Sequence, residues 1–166
     1  MSCFDRRAVL VGAFALGGCG FRPLYGGGAD SGPGRLLQSV RIRREDGELG
    51  FRLHESLIER LRPAAPAAPL ALVTDTRVLQ SELAIGEDDQ ITRYNLTLVT
   101  RYVLTRRDGG AVLAEGEVQS IAAYNATRSQ YATLVSEREV KRRAADVIAD
   151  KIVKRLAIAY DPAWGV

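Results

Sequence analysis

One thiol stands where covalent chemistry is expected: Cys19, preceded by Leu16-Gly17-Gly18 and followed by Gly20. Small residues before a cysteine let a peptidase close on the backbone, and the thiol itself can take a diacylglyceryl group before the chain is cut. The upstream run fits this processing. Arg6 and Arg7 form a positive n-region, and Ala8 to Gly18 (AVLVGAFALGG) an apolar h-region too short to span a bilayer as a helix. L-G-G-C thus resembles the bacterial lipobox. It predicts a signal peptide over 1–18, acylation at Cys19, and a lipid-anchored chain facing the periplasm. Gly20, where inner-membrane retention typically uses Asp, points to the outer membrane. Arg6-Arg7 also resembles a twin-arginine signal, with Asp5 and Val9 as imperfect flanks, so the Sec and twin-arginine routes both stay open. Loss of the signal removes Cys3, so the mature domain is expected to have no disulfide and no thiol nucleophile.

Other reactive side chains form no recognisable constellation. The single histidine, His54, lies in a helical pattern without the further nitrogen or thiolate ligands a zinc site needs. No G-x-S-x-G turn offers a serine nucleophile. Glu87-Asp88-Asp89 lacks the spacing of a calcium loop and reads as a solubilising hairpin tip. Glu115 and Glu117 share a strand face, where they are expected to meet arginines such as Arg101 rather than act as a glycosidase pair. Neither an enzyme, a metal nor a cofactor is expected. The formal charge of +3 comes from arginines spread along the chain, without a polybasic arm, which argues against a nucleic-acid partner.

These residues are carried by readable elements. Tyr25 to Arg35 is Gly-rich and without periodicity, so 19–35 is expected to be a lipidated N-terminus and flexible tether, and 36–166 a single domain. With about 148 mature residues, that domain can be held by its core alone. Ser39 to Glu45 alternates as a half-buried strand, ended by Asp46-Gly47. Leu49 to Arg62 reads as a helix with Leu53, Leu57, Ile58 and Leu61 on its apolar stripe, stopped by Pro63. Leu70 to Ile85 reads as a strand with a bulge or an edge near Asp75. Ile91 to Arg106 is the clearest strand, with Tyr94, Leu96, Leu98, Tyr102 and Leu104 on one face and Arg93, Asn95, Thr97, Val99 and Arg101 on the other. Asp108-Gly109-Gly110 signals a hairpin into Ala111 to Tyr124, with Val112, Ala114, Val118 and Ala122 inward. Ser129 to Tyr160 is a long helix. Ser136 with Glu139 fits a capping box, a start near Ser129 remains open, and Val140, Ala144, Val147, Ile148, Ile152 and Leu156 form the core stripe. The order β-α-β-β-β-α predicts an α+β two-layer sandwich, with about four strands and two helices on one face. The other face is expected to be polar, arginine-rich and free to touch a partner.

CGFRPLYG (Cys19 to Gly26), ITRYNLTLVTRYVLTRRDGG and AAYNATRSQYATLVSERE resemble the LptE family of lipopolysaccharide-assembly lipoproteins in its alphaproteobacterial form. The resemblance implies a non-enzymatic role: a plug that helps the outer-membrane barrel LptD to fold and shares in lipopolysaccharide export to the outer leaflet. It implies LptD, lipopolysaccharide and, through the anchor, the membrane as partners. Arg41, Arg43, Arg93, Arg101, Arg106, Arg107 and Arg128 are the candidate contacts to barrel or lipid phosphate. The family pattern implies a basic residue near the hairpin tip, where this chain has Glu87-Asp88-Asp89, so direct lipid contact is left open. The alternatives are an accessory lipoprotein of another envelope complex (a secretin pilot or a cell-wall-binding module) and a lipid-anchored hydrolase.

Overall fold

A computed structural model describes residues 31–64, 68–85 and 91–165. Cys19 and the Glu87-Asp88-Asp89 tip lie outside them. Structure begins earlier than residue 36. Helix α1 (Gly32–Gln38) is capped by Ser31, whose Oγ accepts from the Gly34 N–H at 3.1 Å, and has a proline in its first turn. It buries Leu36 and Leu37.

Strand β1 (Val40–Ile42) pairs in parallel with Leu70 to Leu72 of β2 (Leu70–Ile85). It is shorter than the 39–45 alternation suggested, because Glu45 does something other than pair. Its carboxylate accepts from the Thr76 N–H at 2.7 Å and from the Thr74 and Thr76 hydroxyls at 3.1 Å each. The side chain thus continues the edge of β2 where β1 stops. This also explains the irregular pattern near Asp75. The β2–β3 register runs unbroken from Leu70↔Arg106 to Glu82↔Tyr94, and irregularity is confined to Glu82–Ile85. No bulge lies at Asp75. Two threonines face the core side there, and Thr76 meets Thr100 at 3.1 Å. Glu45→Ala strands the 8%-exposed Thr74 hydroxyl. The substitution is expected to lower unfolding free energy by about 1–3 kcal/mol in urea titration.

Helix α2 (Gly47–Leu61) ends at Arg62, whose left-handed backbone (φ 47°) returns its N–H to the Ile58 carbonyl. Leu53, Leu57 and Leu61 are buried as expected, but Ile58 is exposed. Ser56 occupies the inward position instead, donating to Asp146 at 2.6 Å on the neighbouring helix. Gly50 packs against the Glu45 backbone so closely that a Cβ would lie 2.6 Å from its carbonyl oxygen.

Strands β3 (Ile91–Arg106) and β4 (Val112–Asn125) complete an open sheet of order β1-β2-β3-β4, antiparallel after the first pair. The inward set of β3 is the expected one. On β4, Val112 turns outward: Leu104 pairs with Ala114 and Thr105 with Val112, so Leu113 is an inserted residue that reverses the alternation. Gly116, opposite Tyr102, has no Cβ because one would sit 2.8 Å from the phenol oxygen.

Helix α3 (Gln130–Ala159) is capped by Ser129, which accepts from the Ala132 N–H at 3.3 Å. Ser136 lies inside the helix and donates to the Ala132 carbonyl, so it is no cap. The buried stripe is wide, because α3 touches both the sheet and α2; it includes Ala145, Ala149 and Val153. Val147 lies off that stripe and is exposed. Pro162–Trp164 forms a closing 3₁₀ turn. The two-layer α+β sandwich is as predicted, with three helices rather than two over one sheet face among the described residues.

Candidate partner interface

The second sheet face has no covering layer among the described residues. The β-register arranges its side chains in rows. Asp75, Arg101 and Glu117 form one row, Arg77, Val99 and Gln119 the next, then Leu79, Thr97 and Ile121. Val73, Val103 and Glu115 lie on the other side of the Arg101 row. Arg101 therefore sits between two carboxylate-bearing positions, and Asp75 also approaches Arg77 at 3.8 Å. The expected arginine-rich face is instead one of mixed charge with an apolar stripe, to which Leu79 at 60% and Ile121 at 62% exposure contribute most. The outward Val99 was already visible in the β3 alternation. Leu79 and Ile121 are less visible in the sequence, because a large aliphatic residue in a strand is expected to face the core.

The candidate arginines do not converge. Arg41 and Arg43 are exposed at the β1 edge. Arg93 pairs across from Asn125 at one end of the sheet, and Arg128 lies exposed in the connection that follows β4. Arg106 and Arg107 are at the other end, roughly 45 Å away along β3. There they clamp the fold. Arg106 donates to the Trp164 carbonyl at 2.6 Å, and Arg107 to the Ala68 carbonyl at 3.1 Å.

His54 is half-buried on α2. Burial and the nearby Arg44 hold its pKa below the usual value, against the opposing pull of a hydrogen bond with the Ile42 backbone and of Glu55. As pH falls below about 6.5, the unfolded chain takes up a proton that folded His54 resists. Its contribution is therefore fully present above that pH and is lost as pH drops toward the depressed value. His54→Gln is expected to flatten the acid-side loss of stability, read as denaturation midpoints across pH 7 to about 5. At the Arg93 end, Tyr94 and Tyr124 stack with centroids 5.4 Å apart. Burial and the charge of Glu137 raise the Tyr124 pKa. No group of three or more metal-ligating side chains occurs among the described residues. No helix among them is long and apolar enough to cross a membrane.

The described residues thus form a two-layer α+β sandwich with one broad sheet face of mixed polarity left bare. The chain belongs to the LptE family: residues 37–156 match the family model described as LptE, lipopolysaccharide-assembly. Membership places it in lipopolysaccharide assembly. Among solved structures, the fold is similar to that of a lipoprotein from Caulobacter crescentus CB15, with TM-score 0.65 and 22% identity over 76% of this chain and 94% of that one. Rare lipoprotein B from Shewanella oneidensis matches with TM-score 0.52 and 18% identity, covering 71% and 91% of the two chains. A minor lipoprotein from Acinetobacter baumannii matches with TM-score 0.54 and 14% identity, covering 72% and 88%. No curated protein matches.

Proposed function

We propose that this chain is an outer-membrane lipoprotein, acylated at Cys19, that seats in the lumen of the LptD barrel, assists its folding, and acts without catalysis in delivering lipopolysaccharide to the outer leaflet. The observation that carries this reading is the family match over 37–156 combined with an uncovered sheet face. A barrel lumen is polar and wet. A face that alternates Asp75, Arg101 and Glu117 with Val99 and Thr97 can hydrogen-bond to such a wall while burying limited apolar area.

The placement of the arginines refines their roles. Arg106 and Arg107 donate to the Trp164 and Ala68 carbonyls, which supports a structural role for them beside any contact they make. Arg41, Arg43, Arg93, Arg101 and Arg128 are exposed and remain the candidate contacts to the barrel or to lipid phosphates. Depletion of the protein is expected to reduce surface lipopolysaccharide and the yield of correctly folded LptD, and the tagged protein is expected to copurify with that barrel. Copurification with a secretin or with cell-wall fragments, at normal surface lipopolysaccharide, would replace this reading with an accessory role elsewhere in the envelope.

A further inference from the structure

We propose that the end of the domain where the chain emerges at Ser31 is a membrane-facing surface that rests on anionic phospholipid headgroups. Its location next to a bilayer rests on the reading of Cys19 as the anchor; its chemistry is read from the folded domain. Gly32 abuts the ring of Tyr160 at the end of α3, with no room for a Cβ between them. Tyr160 meets Trp164 edge-on, with centroids 6.2 Å apart. On the other side of α1, Gly34 and Leu37 share a groove with Arg62 and Lys154. The chain exit, two aromatic rings and a set of cations therefore occupy one end of the molecule.

The side chains there suit a lipid surface. Arg62, Lys154 and Arg155 are exposed, and none forms an ion pair among the described residues. Of the nearby acids, Asp150 holds Arg60 and Asp161 accepts from the Ala163 N–H, while Glu59 and Glu117 share the grooves of Lys154 and Arg155 and leave the set net cationic by one charge. Ile158 is 72% exposed and lies one helical turn beyond Lys154 and Arg155, on the same face of α3. Clustered cations are attracted to anionic headgroups. Tyrosine and tryptophan favour the headgroup level, and an aliphatic side chain beside them can enter the shallow acyl boundary. A soluble phosphate ligand would leave the exposed Ile158 without a role. Fully extended, the segment from Cys19 to Ser31 reaches at most about 40 Å, so an anchor at Cys19 holds this end nearest the bilayer. Docking there would leave the opposite end of the sheet, where Arg93 pairs with Asn125, away from the membrane surface.

Trp164 is the chain's only tryptophan and is therefore a built-in probe. The processed, acylated protein is reconstituted in vesicles of phosphatidylethanolamine with or without phosphatidylglycerol, and Trp164 quenching by brominated lipids is measured. Quenching is expected in the anionic vesicles. It should be lost at about 1 M salt, where the Debye length falls to about 3 Å, and lost in a Lys154→Glu/Arg155→Glu variant whose circular dichroism is unchanged. Equal quenching in neutral and anionic vesicles, insensitive to salt and to the charge reversal, would overturn the proposal. So would quenching that arises only when lipopolysaccharide is added, which would assign the surface to that lipid's phosphates. Flotation and mass analysis of the same samples separate the two readings. Protein that lacks acyl chains and fails to float defeats the anchor, whereas acylated, floating protein with unquenched Trp164 defeats this surface alone.

Discussion

A Cys19→Ala variant is expected to lose all acyl label, to accumulate as an unprocessed precursor, and to disappear from the outer-membrane fraction. The reason is chemical. Alanine offers no sulfur to alkylate, and in lipoprotein processing the modified cysteine is what licenses the cut after Gly18. Binding gains about 0.8 kcal/mol for each buried methylene, and stable anchoring needs more than one chain or a second signal. The exposed cations of the α3 end are too few to replace it. Fractionation with metabolic palmitate labelling reads the outcome. Retained outer-membrane localisation without label would show that a protein partner, not the lipid, holds the chain in place. If the domain acts beside the barrel as proposed, surface lipopolysaccharide is expected to fall with localisation.

A Leu98→Ala variant is expected to be the most destabilising of the single changes considered. Leu98 is 1% exposed, lies mid-strand in β3, and faces Val78 and Ser120 across the two neighbouring strands. Truncation leaves a cavity that rigid strands on both sides cannot close, at a cost of about 2–5 kcal/mol. That is a large share of the roughly 5–15 kcal/mol that holds a typical domain. At about 2–4 °C for each kcal/mol, the melting temperature should fall by roughly 5–20 °C. Leu79→Ala provides the contrast. Leu79 is 60% exposed on the open face, so its loss is expected to change stability by less than about 0.5 kcal/mol. Weakened capture of the barrel by Leu79→Ala, at unchanged melting temperature, would mark the open face as the contact surface. A large thermal shift for Leu79→Ala would show that something covers that face in the isolated domain.

The elements of this fold were legible because their apolar residues recur with clean periods. The alternation of Tyr94, Leu96, Leu98, Tyr102 and Leu104 defined β3 and its inward face, and the stripe of α2 was correct at Leu53, Leu57 and Leu61. Some misreadings arise because a contact distant in sequence changes what a local pattern means, others from a local insertion or an unrecognised helix start. Glu45 completes the β2 edge from the loop that follows β1, so two inward threonines looked like a break in the strand. The inserted Leu113 reversed the sense of Val112. Ser56 displaced Ile58 because Asp146, ninety positions on, accepts its hydroxyl. Helix α1 was hidden by its glycines and proline, which read as a tether until Ser31 and Pro33 are recognised as a helix start. The candidate site was less legible. A sequence shows which arginines point outward, but not that Arg106 and Arg107 are tied to backbone carbonyls or that Asp75 and Glu117 flank Arg101.

Site-specific photo-crosslinking in living cells tests the central claim most directly. A photoreactive residue is placed singly at Thr97, Val99 or Arg101 on the bare sheet face, and at Arg143 on the exposed flank of α3 as the comparison. Lumenal seating predicts adducts to LptD, identified by mass spectrometry, from the three sheet positions. Adducts to LptD from Arg143 alone, or sheet-face adducts only to some other envelope protein, would contradict it.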